Sequence, residues 1–202
     1  TFGAGDVILS QGDNCGIVRT NLSRQAASCM DVGSVNVSIS VADSAGNTAT
    51  DFFLANVVDA DFPNVTVNGS ISRALNASGG FELAVADVEL IAIDNCPIVS
   101  KVFNKTTFSC ADVGSQPLSY TVTDSSGLST TRTFTLEVVD NEDPQLLLQP
   151  AVSVTLSPTT GLASLNASAH VAQATDNCGI ATVLSDTTLF SCADVGVNPV
   201  VI

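Results

Sequence analysis

The sequence predicts an all-β chain, a series of small sandwiches that repeats every 81–82 residues. Three observations lead there. A six-residue phrase, SCMDVG at Ser28–Gly33, returns as SCADVG at Ser109–Gly114 and Ser191–Gly196. A second phrase, DNCGI at Asp13–Ile17, returns as DNCPI at Asp94–Ile98 and DNCGI at Asp176–Ile180. Between these phrases apolar residues alternate with polar ones at period two, and no segment keeps a 3.6-residue apolar stripe.

The cysteines fix the period. The first of each repeat are Cys15, Cys96 and Cys178, with steps 96 − 15 = 81 and 178 − 96 = 82. The second are Cys29, Cys110 and Cys192, with the same steps, and each pair lies 14 residues apart (29 − 15, 110 − 96, 192 − 178). After the first SCMDVG phrase, Val37, Ile39 and Val41 alternate with polar residues. The turn DSAGN follows, and alternation resumes at Phe53, Ala55 and Val57. The second copy reads Leu118, Tyr120, Val122, then DSSGL, then Phe134, Leu136, Val138. Each stretch is a hairpin with one buried face around a Gly-containing turn. The phrases VVDADFP and VVDNEDP end one unit and begin the next. The units are therefore residues 1–59, lacking a first strand, 60–141, complete, and 142–202, lacking the last hairpin. Thr1 corresponds to Glu82 and Ile202 to Tyr120. The expected explanation is a segment of a longer chain; the other is that neighbouring subunits donate the missing strands.

Composition narrows the function. The chain carries 20 Asp and Glu against 6 Lys and Arg, a net charge of −14. Such a surface argues against nucleic acid and anionic membranes as partners. No run of about 18 apolar residues is present, so no membrane span is expected in this segment. Two cysteines per repeat without a CxxC pair read as a disulfide framework, with Cys15–Cys29, Cys96–Cys110 and Cys178–Cys192 as the expected bridges. Each would stabilise its unit by roughly 3 kcal/mol in the chain-entropy model. Zinc is the competitor, but one histidine in the chain supplies too few ligands. Disulfides in turn imply an extracellular or cell-surface location.

The run ADVELIAIDNC, FSCADVG, LSYTVTDSSGL and VVDNEDP resembles the hyaline-repeat immunoglobulin-like modules that recur in tandem in large secreted and surface proteins, notably adhesins. The resemblance covers essentially the whole chain. It implies seven-stranded immunoglobulin-like sandwiches strung end to end, acting as spacers and stalks rather than catalysts. The partners implied are neighbouring repeats of the same long chain, or copies of itself in a fibre. The chain departs from many of these modules in lacking a cysteine in the last strand, where TDFFLANVVD and TRTFTLEVVD have none. It departs again at Ala169, where an acid stands at Asp6 and Asp87.

Candidate sites follow. The linkers DADFP and DNEDP resemble the acidic linkers of cadherins, which suggests Ca²⁺ between repeats. Asp59, Asp61, Asp87, Asp94 and Asp124 are the expected ligands at one linker, and Asp140, Glu142, Asp143 and Asp176 at the next, because Ca²⁺ takes six to eight oxygens. Solvated turn aspartates are the competing explanation. Asn21, Asn36, Asn64, Asn68, Asn76, Asn104 and Asn166 each head an Asn-x-Ser/Thr sequon and are candidate glycosylation sites. The short match DSA at Asp43–Ala45 also resembles a bacterial O-glycosylation signal. His170, the single histidine, has no counterpart in the other repeats, and no catalytic residue is expected. Two functions remain. One is a structural segment of an extracellular fibre or adhesin stalk. The other is a ligand- or glycan-binding adhesin module, or a strand-exchanged polymer subunit. Near-identical loops with 5% aromatic residues favour the stalk.

Overall fold

The computed structural model describes residues 4–8 and 12–202. Among these described residues the chain is all β apart from one short helix, α1 (Ala4–Val7), and brief 3₁₀ turns. The strands in order are β1 (Ile17–Leu22), β2 (Gly33–Asp43), β3 (Thr48–Val57), β4 (Asn64–Val67), β5 (Ser70–Ala74), β6 (Gly80–Glu82), β7 (Glu89–Ile93) and β8 (Ile98–Phe103). They continue with β9 (Thr107–Ser109), β10 (Gly114–Asp124), β11 (Ser129–Val139), β12 (Gln145–Leu148), β13 (Ala163–Ser164), β14 (Val171–Thr175) and β15 (Leu189–Phe190).

The period-two stretches form the expected hairpins. β2 and β3 pair antiparallel with Val37 opposite Phe53 and Val41 opposite Ala49, and β1 lies on the other side of β2. The second hairpin, β10 and β11, sits in a sheet of order β5-β11-β10-β8. β5 joins β11 in parallel, while β4 pairs with β7 and β6 with β9. β12–β14 and β13–β15 repeat the last two pairings one period later.

Contacts group the chain into two compact units. The first holds the segment ending at Gly69 together with Val85–Asn104 and Leu118–Phe134. The second holds Ser70–Ala84, Lys105–Pro117 and Thr135–Ile202. In the first unit Tyr120, Val122 and Phe134 project from β10 and β11 into a core shared with Val65 of β4 and Val88. The Tyr120 hydroxyl donates to Glu89 of β7, and Arg132 Nε of β11 donates to the Val65 carbonyl at 2.9 Å. These bonds tie the two sheets face to face as a sandwich. Burial of Glu89 works against its charge, but donors Lys101 and Tyr120 hold its carboxyl below the ordinary value. In the second unit Leu136, Val138, Phe108, Leu83 and Leu75 are buried, and Phe81 stacks on Phe108 at 5.2 Å. The sheet β1-β2-β3 fills its inner face less completely. Val37 is fully buried, whereas Ile39, Val41, Phe53, Ala55 and Val57 are half-buried at positions matching buried Tyr120, Val122, Phe134, Leu136 and Val138.

Candidate functional site

Each copy of the repeated phrases builds one small device. In SCxDVG the serine starts a 3₁₀ turn, at Cys29–Asp31, Cys110–Asp112 and Cys192–Asp194. The aspartate accepts the serine's own N–H at 2.9, 3.0 and 2.8 Å, which closes a capping box at the turn's start. The glycine that follows takes a left-handed backbone, at φ 109° for Gly33, 105° for Gly114 and 131° for Gly196, which swings the chain into the next segment. The cysteine is thus the first residue of a capped turn, which at Cys29 and Cys110 stands at the mouth of a long strand. In DNC the aspartate accepts the cysteine N–H, at 2.7 Å for Asp13, 2.8 Å for Asp94 and 2.7 Å for Asp176. That local bond presents the first cysteine of each repeat in one fixed way.

The capping carboxyls are held below their ordinary value of 3.8. Asp31 is lowered by the Ser28 N–H and then Arg24, Asp112 by Lys105 (2.5 Å) and then the Ser109 N–H, and Asp194 by the Ser191 N–H. A depressed carboxyl stabilises the fold above its unfolded value, and that contribution disappears as pH falls through the folded value. Melting temperature is therefore expected to stay level at neutral pH and to drop as the solution is acidified below about pH 4. Asp112→Asn should make that acid limb shallower, as read from thermal melts across pH.

The disulfides differ from the sequence expectation. The bridges are Cys29–Cys96 and Cys110–Cys178, with Cα separations of 5.5 and 5.3 Å, and Cys15 and Cys192 are unbonded and exposed. The expected pairs Cys15–Cys29, Cys96–Cys110 and Cys178–Cys192 do not form. The reason is strand length. Cys15 stands two residues before β1, whose Ile17 pairs with Asp43 at the far end of β2, while Cys29 stands just before the near end of β2 at Gly33. β2 has 11 residues and spans roughly 35 Å, against the ~7 Å limit between bridged Cα atoms. Cys96 and Cys110 flank β8 and β10 in the same frame. The second cysteine of one repeat instead meets the first cysteine of the next, which the fold brings close although 67 or 68 residues separate them.

Around each bridge the fit is close. Cys29 Sγ lies 3.7 Å from the Asn95 carbonyl oxygen, and Cys110 Sγ lies 3.4 Å from that of Asn177 and 3.6 Å from that of Gly79. Asn177 Nδ2 donates to the Asn76 carbonyl at 3.2 Å. Gly79 adopts φ 76°, and a Cβ there would sit 2.5 Å from the Asn177 carbonyl oxygen and 2.9 Å from Cys110 Sγ.

Beside the first bridge lies an acidic cluster. Ligand atoms of Asp59, Asp94 and Cys96 fall within 4.8 Å of one another. The Cys96 sulfur is in a disulfide, so the cluster's donors are carboxylates. Asp59 accepts from the Ser126 hydroxyl and from Asn95 Nδ2 (3.1 Å), which lower its carboxyl below the ordinary value against the effect of burial. The same Ser126 hydroxyl donates to Asp124 Oδ1 at 2.8 Å, so one proton faces two carboxylates. Asp59 Oδ2 and Asp124 Oδ2 are buried without a hydrogen-bond partner, and Asp124 is 1% exposed. The residues present fit a hard cation that takes oxygen ligands.

Asp124 has a second role, and the remaining expected ligands fall elsewhere. Asp124 Oδ1 also caps the β10–β11 turn through the N–H groups of Ser126 (2.8 Å) and Leu128 (2.9 Å), as Asp43 does for β2–β3. Asp61 is exposed, and its N–H donates to Asp59. Asp87 lies before β7 and Asp94 after it, so that strand separates Asp87 from the cluster. In the second unit Asp140 and Asp176 line one cavity with Glu142, while Asp143 is exposed. Sequence reasoning missed Ser126 and Asn95; their signal was position, each next to an aspartate in a turn.

His170 ends the 3₁₀ turn Ala167–His170 and lines a cavity with Ser191 and Asp194. The Ser191 hydroxyl donates to Asp194 at 2.9 Å within the capping box. The same box stands at Ser28/Asp31 and Ser109/Asp112, so this Ser–Asp pair shapes a turn. Of the sequon asparagines, Asn21, Asn36, Asn64, Asn76, Asn104 and Asn166 are exposed and Asn68 is half-buried.

No family model matches the chain, and no curated protein matches it. Among solved structures it is similar to the extracellular cadherin domains 1–4 of protocadherin gamma B7, at 12% identity and a TM-score of 0.30 over 73% of this chain and 49% of that one. It is similar to the extracellular domain of protocadherin gamma B4, at 16% and 0.30 over 69% and 29%. It is also similar to the ectodomain of human desmocollin-1, at 12% and 0.25 over 71% and 32%. The chain spans about half the length of the first of these and about a third of the other two.

Proposed function

We propose that the chain is a structural segment of an extracellular fibre or adhesin stalk, built from immunoglobulin-like repeats at residues 1–59, 60–141 and 142–202 that follow one another end to end. One observation carries this reading: both disulfides join the second cysteine of one repeat to the first cysteine of the next. A bridge that links successive repeats and closes none on itself serves continuity along a row. Disulfides also favour an oxidising compartment outside the cytoplasm. Electron microscopy of the purified chain should show elongated particles. Compact particles with repeats side by side, or turnover of a substrate lost in His170→Ala, would contradict the reading.

Calcium belongs to the same proposal. Asp59 and Asp94 would hold the ion, with Asp124 joined to them through the Ser126 hydroxyl that faces both Asp59 and Asp124. When bound it would neutralise carboxylates that otherwise repel one another at the linker. Adding Ca²⁺ at 100 times its dissociation constant should stabilise the chain by about 2.7 kcal/mol, and EGTA should reverse the rise in melting temperature. Asp59→Asn should abolish most of that rise. An unchanged melting temperature in Ca²⁺ and in EGTA sinks the proposal. Asp140 and Asp176 offer a second, smaller set. The exposed sequons are available to glycans if the chain passes through a glycosylating secretory route.

A further inference from the structure

Two of the sequons stand beside large apolar side chains that are open to water. The run Phe62-Pro63-Asn64-Val65-Thr66 leads into β4 and alternates. Pro63 and Val65 are buried, so Phe62, Asn64 and Thr66 share the outer face. Asn64 pairs with Ile93 of β7 and Thr66 with Ile91. Phe62 is 62% exposed and Ile93 61%, and Ile91 is exposed too. The second case is in β2. Asn36 pairs with Leu54 of β3 and Ser38 with Phe52, on the face opposite buried Val37, and Leu54 and Phe52 are 72% and 65% exposed.

The repeats supply the comparison. One period after Asn64, β12 and β14 pair in the same register, with Gln145 opposite Thr175 and Leu147 opposite Gln173. There the sequon is gone, and so are the ring and both isoleucines. Asp143 stands at the position of Phe62, Thr175 at that of Ile93 and Gln173 at that of Ile91. Leu147, at the position of Thr66, is the one change in the other direction. One period after Asn36, Pro117 replaces the asparagine, and Thr133 and Thr135 stand at the positions of Phe52 and Leu54. Sequon and exposed apolar residues come and go together at both places. An open apolar patch marks a surface that something covers, and at both places the asparagine in its midst is where a glycan attaches.

We propose that Asn64 and Asn36 carry N-linked glycans, and that the first N-acetylglucosamine of each lies on the neighbouring ring, Phe62 or Phe52. Two residues of strand put Phe62 about 7 Å from Asn64, a distance that a sugar on the asparagine side chain spans. The C–H groups on one face of the sugar pack on the negative face of the phenyl ring, and its hydroxyls keep to water. The reaction is a glycosyl transfer. A bond forms between the asparagine Nδ2 and C1 of the sugar. The bond from C1 to the phosphate oxygen of a lipid diphosphate-linked oligosaccharide breaks. Nδ2 gives up one proton, and the lipid diphosphate leaves with the electron pair, so no oxidant or reductant is needed.

This inference rests on the reading of the chain as an extracellular protein. The test uses the chain secreted from cells that make only high-mannose glycans, trimmed by an endoglycosidase that leaves the first sugar. Peptide mass spectrometry should find one N-acetylglucosamine on Asn64 and one on Asn36. Asn64→Gln, Phe62→Ser and the double variant are then melted, with circular dichroism confirming that each folds. Each single change should lower the melting temperature by about 2–4 °C. The double change should lower it no further, because ring and sugar form one contact. Asn36→Gln and Phe52→Ser make a second cycle with the same expectation. Asn21→Gln is the control and should cause no shift, since Asn21 pairs with Ser40 and has Arg19 two residues before it. An asparagine without sugar, additive losses within its cycle, or an equal fall in Asn21→Gln would overturn the proposal for that asparagine. Elongated particles without the sugar contact would sink this inference and leave the stalk reading standing. Compact particles that keep the contact would do the reverse.

Discussion

Replacing Cys110 and Cys178 together by serine is expected to destabilise the second unit by about 4 kcal/mol in the chain-entropy model. The bridge closes a loop of 68 residues, and longer loops lose more unfolded-state entropy when closed. The double substitution avoids the stray thiol that a single one would leave. Urea unfolding of the variant and the parent under oxidising conditions reads the difference. Dithiothreitol should lower the parent by more than it lowers the variant, which keeps only the Cys29–Cys96 bridge, and the two should then coincide. Cys192→Ser serves as the control and should change stability by less than about 0.5 kcal/mol, because that side chain is exposed and unbonded. A parent insensitive to reduction would show that the bridge contributes nothing to folding.

The second large effect is at Gly79. Alanine there should destabilise the second unit by about 3 kcal/mol. Part comes from φ 76°, a region that L-residues enter at a cost of about 1–3 kcal/mol. The rest comes from a methyl placed 2.5 Å from a backbone oxygen of Asn177, an atom that cannot swing away as a side chain would. Gly46→Ala separates the two contributions. Gly46 has φ 90° with nothing within 4 Å of its hypothetical Cβ, so only the backbone contribution applies. Gly79→Ala should also slow formation of Cys110–Cys178 during oxidative refolding, whereas Gly46→Ala should not. Equal destabilisation at both sites would mean that the close approach to Asn177 is unimportant.

Much of the fold was legible because its signals are local. Alternation at Leu118, Tyr120 and Val122 depends only on the two-residue period of a strand, and the turns at Asp43 and Asp124 depend on an aspartate capping the backbone two to four residues on. The 3₁₀ turn at each SCxDVG phrase is local too, since serine, aspartate and glycine each act within six residues. The bridges were not legible in this way. A gap of 14 residues suggests a short loop, but β1 and β2 convert it into a separation along a strand, and sequence distance says nothing of direction. The acidic cluster falls between. Asp59 and Asp94 share it because β4 and β7 pair with Asn64 opposite Ile93, which puts the chain before β4 beside the loop after β7. Asp87 sits at the other end of β7, a distinction that needs the strand's direction as well as its existence.

The bridges also reroute mechanical load. A pull applied at Cys29 and Cys178 need not follow the 149 residues between them (178 − 29). It crosses from Cys29 to Cys96, runs through the peptide to Cys110 and crosses again to Cys178. The tensile path through the middle repeat is therefore 14 residues (110 − 96). Fully drawn out, such a path spans about 50 Å, against about 500 Å for the open chain. Much of it is already extended, as β8 and β9. The two long loops that hold the hairpins, the acidic cluster and most of the core hang in slack beside the load. Pulled in an oxidising medium, the segment behaves as a tether of nearly fixed length. Two reductions would turn it into a spring.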